Sequence, residues 1–129
     1  MSKHNLKVLI FSVSLIFLLG MAYIFLLPII SDYKGRIKFN SEQWKNADAV
    51  DNGIRIKMVD DLIHHDKLAG MTREQIILLL GEPASHGYFE EYDLVYWLGP
   101  ERGFISIDSE WLCINLKNGI VGKYKVCRD

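Results

Sequence analysis

Chemistry in this chain would have to come from a few places. They are the run from Asp60-Asp61 to His64-His65-Asp66, the pairs Ser85-His86 and Ser109-Glu110, and two cysteines, Cys113 and Cys127. A His/Asp cluster with His86 brought up beside it would suit a divalent metal. The spacing opposes that reading, because adjacent helical residues point about 100° apart and cannot chelate like the i, i+4 pair of an H-E-x-x-H site. Asp60 with His64 and Asp61 with His65 read instead as i, i+4 partners on a solvated helix face. Hydrolase chemistry is equally unsupported: neither Ser85 nor Ser109 sits in a glycine-flanked elbow or beside a His–acid pair. Gly81, Gly87, Gly99 and Gly103 are scattered at turns and form no phosphate-cradling loop. The expectation is a protein without catalytic residues, cofactor or metal.

The two cysteines fit neither a zinc site nor a disulfide framework, since there is no C-x-x-C and no second pair. Whether they can meet depends on strand register, which depends on the elements around them.

The chain has 129 residues and a formal charge of −1. Residues 1–30 hold two lysines and no acid, leaving thirteen basic against sixteen acidic residues beyond them, about −3. A domain with that balance has no electrostatic reason to seek nucleic acid. From Val8 to Ile30 no residue is charged. At about 1.5 Å per residue, such a helix crosses a hydrocarbon core of about 30 Å. The run is longer than a signal-peptide core and lacks a small-x-small cleavage site, so it reads as an uncleaved anchor contacting the lipid bilayer. Gly20 is followed by Met21 and not by cysteine, which rules out lipobox acylation. Lys3 and Lys7 on one side face Lys34, Arg36, Lys38 and Lys45 on the other, so the positive-inside rule does not orient the span.

After a tail (1–7) and the anchor (8–30), residues 31–53 read as a linker with a short helical turn capped near Ser41, docking through Phe39 and Trp44. Residues 54–129 read as one soluble domain. Ile54, Met58, Val59, Leu62 and Ile63 fall at helical spacing and predict a helix from Ile54 to Lys67. Thr72-Arg73-Glu74-Gln75 has the T-x-x-Q form of a capping box opening a second helix to Leu80, which Gly81 and Pro83 end. Alternation then predicts strands near Tyr92–Leu98, Ile105–Leu116 with a break at Asp108-Ser109, and Ile120–Cys127. The expected fold is α+β: a transmembrane helix, then two helices packed on a three-stranded antiparallel sheet.

Leu112, Ile114 and Leu116 must share a face with Ile120, Tyr124 and Val126. A three-residue Lys117-Asn118-Gly119 loop pairing Leu116 with Ile120 achieves this. That register sets Cys113 opposite Lys123 and leaves Cys127 about 13 Å away at about 3.3 Å per residue, too far for a disulfide, so two free thiols are expected. It also turns Val95, Trp97, Trp111, Cys113 and Val121 away from the helices. Such a strip is a candidate partner-binding surface, unless the linker aromatics or Tyr88 and Phe89 fold over it.

Leu68-Ala69-Gly70-Met71-Thr72-Arg73-Glu74-Gln75-Ile76, followed by Leu79-Leu80-Gly81-Glu82-Pro83, resembles the L-x-GM-(T)-x-x-E-(V/I)-x-x-LLG-x-P signature of the SmpA/OmlA (BamE)-like small α/β domains. Tyr96-Trp97-Leu98-Gly99 and the Trp111 to Gly119 hairpin share the layout, so the resemblance covers about Arg55 to Val126. It implies a two-layer, non-catalytic, protein-binding domain outside the cytoplasm, held at the inner or cytoplasmic membrane by a single span. Within that implication stand two functions: an envelope-facing protein–protein interaction domain, or an inhibitor or immunity-type protein directed at a toxin or hydrolase.

Overall fold

The computed structural model describes residues 2–46, 53–84, 88–103 and 105–129. They fall into two compact units, one ending at Lys34 and one from Gly35 to Asp129.

The first unit is helix α1, Lys3–Lys34. Its stretch Lys3–Ser31 is long and apolar enough to span a membrane, and its side chains are exposed. In lipid every polar group needs an internal partner. The Ser12 hydroxyl has one, donating to the Val8 carbonyl at 2.9 Å.

In the second unit the order is α2 (Ser41–Lys45), α3 (Ile54–His64), α4 (Arg73–Leu80), β1 (Leu94–Pro100), β2 (Ser109–Lys117) and β3 (Ile120–Arg128). The strands form one antiparallel sheet in the order β1-β2-β3. Helix α2 is capped by Asn40, one residue before the expected Ser41: the Asn40 side chain accepts from the Gln43 amide, while the Ser41 hydroxyl donates to the Leu79 carbonyl. Helix α3 stops at His64, three residues early, and a run of turns through Gly70 leads to α4. The capping box of α4 is complete: the Gln75 amide donates to Thr72 Oγ1 and the Thr72 amide to Gln75 Oε1. The break expected at Asp108-Ser109 is where β2 begins.

One core joins these elements. Trp44 of α2, Met58, Val59 and Leu62 of α3, and Ile76 and Leu80 of α4 are wholly buried together with Leu94, Tyr96, Leu98, Leu112 and Ile114 of the sheet. Burying each such side chain is worth about 1.5–3 kcal/mol. The segment read as a linker takes part in this core. Phe39 meets Trp44 edge-on at 5.8 Å, and the Phe39 amide donates to Asp61 at 2.7 Å. The Asp61 carboxyl is held below the usual aspartate range, first by its hydrogen bond from Lys67 and then by that amide.

The register of the last hairpin corrects the expected one. Lys117 pairs with Ile120 across a two-residue Asn118-Gly119 turn, with φ of 54° and 81°, the paired left-handed geometry of a tight hairpin. Continued regularly, this would send Leu112 and Ile114 to the wrong side. A bulge at Gly122 restores the faces: Leu116 pairs with Val121, Asn115 with Lys123, and Ile114 and Leu112 with Tyr124 and Val126. Glycine suits the place, because a Cβ there would lie 3.2 Å from the Lys117 Cβ.

A polar network crosses the same inner face. Glu110 is completely buried. It accepts from the Arg102 Nε at 2.9 Å and backbone amide at 3.1 Å, and from Arg128 at 3.4 Å. Arg102 reaches on to Asp60 of α3 at 3.0 Å, which also meets Arg36 at 2.8 Å. Asp60 is therefore largely buried in this network and not solvated beside His64. Burial would depress the Arg102 guanidinium, but its bonds to Glu110 and Asp60 raise it above the ordinary value. Arg102→Ala should lower the unfolding free energy by about 3–5 kcal/mol by stranding a buried carboxylate. Arg36→Ala removes an exposed partner and leaves Asp60 its bond to Arg102, so it should cost less than about 1 kcal/mol. Urea denaturation of the full-length protein in detergent measures both.

Candidate functional site

The sheet face away from the core is built from alternate residues of the same strands. Val95 pairs with Cys113, Trp97 with Trp111, and Trp111 in turn with Cys127, so these side chains share that face. Val121, placed there by the expected register, lies instead in the helix-side core, because the Gly122 bulge reverses its direction.

Val95 and Cys113 do not stand open. With Cys127 they form a second buried cluster beneath Phe89, Tyr92 and Trp111. The cover is the segment between α4 and β1. Its Ala84 amide donates to the Val95 carbonyl at 2.9 Å, fixing the segment against the β1 edge. Phe89 lies 6.4 Å from both Tyr92 and Trp111, and Tyr88 lies 6.0 Å from Trp111. Phe89 has φ of 72°, a left-handed conformation rare for a bulky side chain and costing about 1–3 kcal/mol. Its ring contacts hold it there.

What stays accessible is a rim of aromatics. Tyr88 is 63% exposed, while Trp97 and Trp111 are half-buried. Trp111 is fixed by its Nε1, which donates to Asp129 at 3.1 Å, and Asp129 is itself held by the Ser109 amide at 2.7 Å. Beside the rim lies an open cavity of about 520 Å³ lined by Arg73, Pro83, Tyr88, Phe89 and Trp111. A second, of about 500 Å³, is lined by Phe89, Arg102, Lys125, Cys127 and Arg128. The Lys125 ammonium lies 5.8 Å from the Tyr92 ring centre, and Tyr92 leads the contacts that raise its pKa. Rigid half-buried aromatics beside cavities can supply apolar anchors for another molecule.

The two cysteines are both free and both buried. The expected 13 Å separation does not hold: Cys113 faces Lys125 and Cys127 faces Trp111, so the thiols are diagonal neighbours. Their juxtaposition was hidden by the bulge.

Of the candidate chemical residues, Asp61 and His65 form the expected i, i+4 pair at 3.0 Å. Ser85 and His86 lie outside the described residues, and among those described no three His, Cys, Asp or Glu side chains gather as a metal site. Glu110 pairs with Arg102 in the core and not with Ser109 in a catalytic arrangement; its signal in the sequence is a strand position in phase with the core residues Leu112 and Ile114.

Neither a scan against protein-family models nor a search of curated proteins finds a match to the chain.

Phe89→Ala should uncover Cys113. The thiols of the full-length protein should then react with an aromatic disulfide reagent at least about tenfold faster, and stability should fall by about 2–3 kcal/mol. Timed absorbance of the released thiol and a urea titration measure the two effects.

Proposed function

We propose that this protein is a membrane-anchored, non-catalytic module that binds another protein through the aromatic rim of Tyr88, Trp97 and Trp111. The rim itself carries the reading: Tyr88 and Trp111 stand partly exposed beside a cavity, with half-buried Trp97 paired to Trp111 on a sheet face that the helix-side core does not need. Truncating such an anchor at a protein interface costs about 2 kcal/mol or more, roughly thirtyfold in affinity.

The rest of the proposal follows from the sequence. Helix α1 acts as an uncleaved single span, since its apolar run exceeds a signal-peptide core. The helices and sheet form a BamE-like two-layer domain, on the resemblance carried by Gly70-Met71 and the Leu79 to Pro83 stop. That resemblance also puts the domain on the envelope side of the inner or cytoplasmic membrane. A net charge near −3 beyond the span favours a protein partner over nucleic acid.

A photocrosslinking residue at position 97 in the full-length protein, expressed in its own cells, should yield a discrete adduct in the membrane fraction. The adduct should be lost with Tyr88→Ser, whose melting temperature should stay within about 2 °C of wild type because the side chain is mostly exposed. The same crosslinker at Leu78, an exposed apolar position on α4, should give none. Equal crosslinking from positions 97 and 78, or an adduct indifferent to Tyr88→Ser, would contradict the proposed surface.

A further inference from the structure

Cys113 and Cys127 stand on neighbouring strands, on one face, one diagonal step apart. The right-handed twist of a sheet draws one diagonal of each cross-strand pair together, from a starting separation of about 7–8 Å between Cα atoms. The side chains agree with this, because Cys113 and Cys127 belong to one buried cluster with Val95. The two differ in access. Cys113 is 0% exposed, while Cys127 is 8% exposed and borders the cavity lined by Arg102, Lys125 and Arg128.

We propose that Cys113 and Cys127 are an oxidisable pair, converted by an external low-molecular-weight disulfide into a bond that staples β2 to β3. Cys127 is the entry thiol. It gives its proton to solvent and attacks one sulfur of the reagent; the reagent's S–S bond breaks, and one reagent thiol leaves with a proton. Cys113 then loses its proton to solvent and attacks the Cys127 sulfur, and the second reagent thiol departs. In sum, two protein thiols lose two electrons and two protons, and the reagent disulfide gains both. Burial, then the neighbouring Cys127 thiol and the nearby Glu91, hold the Cys113 thiol well above its ordinary range, with Lys125 opposing. Cys113 therefore serves as the slower, second nucleophile. The inference rests on the register and is independent of the proposed partner surface.

The test equilibrates the full-length protein in detergent with oxidised glutathione and reads intact mass without denaturation beforehand. The chain has two cysteines, so an intramolecular bond is unambiguous. Most monomers should lose the mass of two hydrogens and carry no adduct, and the melting temperature should rise by about 5–10 °C. Cys113→Ala should stop at one glutathionyl group, on Cys127. Chains that stay unmodified while folded, that carry a glutathionyl group on each cysteine, or that link into dimers would overturn the proposal. The wild-type mass decides the matter even where the variant fails to fold.

Discussion

The parity of the β2–β3 hairpin is the constraint on which the second unit depends. Side chains alternate along a strand, so a one-residue slip exchanges core and surface over the whole ladder. The tight Asn118-Gly119 turn fixes one parity and the apolar pattern of Leu112, Ile114, Tyr124 and Val126 demands the other. The extra residue at Gly122 reconciles them. From that single insertion follow the closed helix-side core, the placement of Val121 within it, the aromatic face opposite, and the meeting of Cys113 with Cys127. The turn end of the hairpin is then tied to α4, since the Val121 amide donates to the Met71 carbonyl at 2.8 Å and Thr72 bridges Ile120.

The Glu110 network works on the opposite end of the sheet. A buried carboxylate is costly unless its charge and lone pairs are met. Here two arginines and a backbone amide meet them, and Arg102 passes the connection to Asp60 of α3. The β1–β2 connection is thereby held against the helix by geometry-specific bonds more than by apolar contact, as its exposed Ile105 and Ile107 attest. Hydrophobic burial closes one end of the layer and ion pairing the other.

Much of this organisation is legible in the residues. The uncharged run from Val8 to Ile30, the capping box at Thr72 and the alternation from Leu94 onward each declare a local element by spacing alone, and the structure has the long apolar helix and the three-stranded antiparallel sheet. Trp44 and Phe39 mark the docking of the preceding segment. Less legible are features set by distant partners. The bulge could not be read from a sequence in which a three-residue loop gives the same parity. The capture of Asp60 by Arg36 and Arg102 and the left-handed Phe89 depend on contacts far along the chain. The candidate surface shows both sides of this limit: Trp97 and Trp111 share the expected face, but Val95 and Cys113 lie under a cover that alternation does not reveal.

The aromatic rim and the thiol pair are two consequences of one arrangement of hydrogen bonds, so that arrangement is the point to measure. Cross-strand nuclear Overhauser contacts in the isotope-labelled full-length protein in micelles report it residue by residue. Backbone proximities of Trp111 to Cys127 and of Cys113 to Lys125, with Gly122 unpaired, are what the account requires. Proximity of Cys113 to Lys123 would return the sheet to the unbulged register and contradict it.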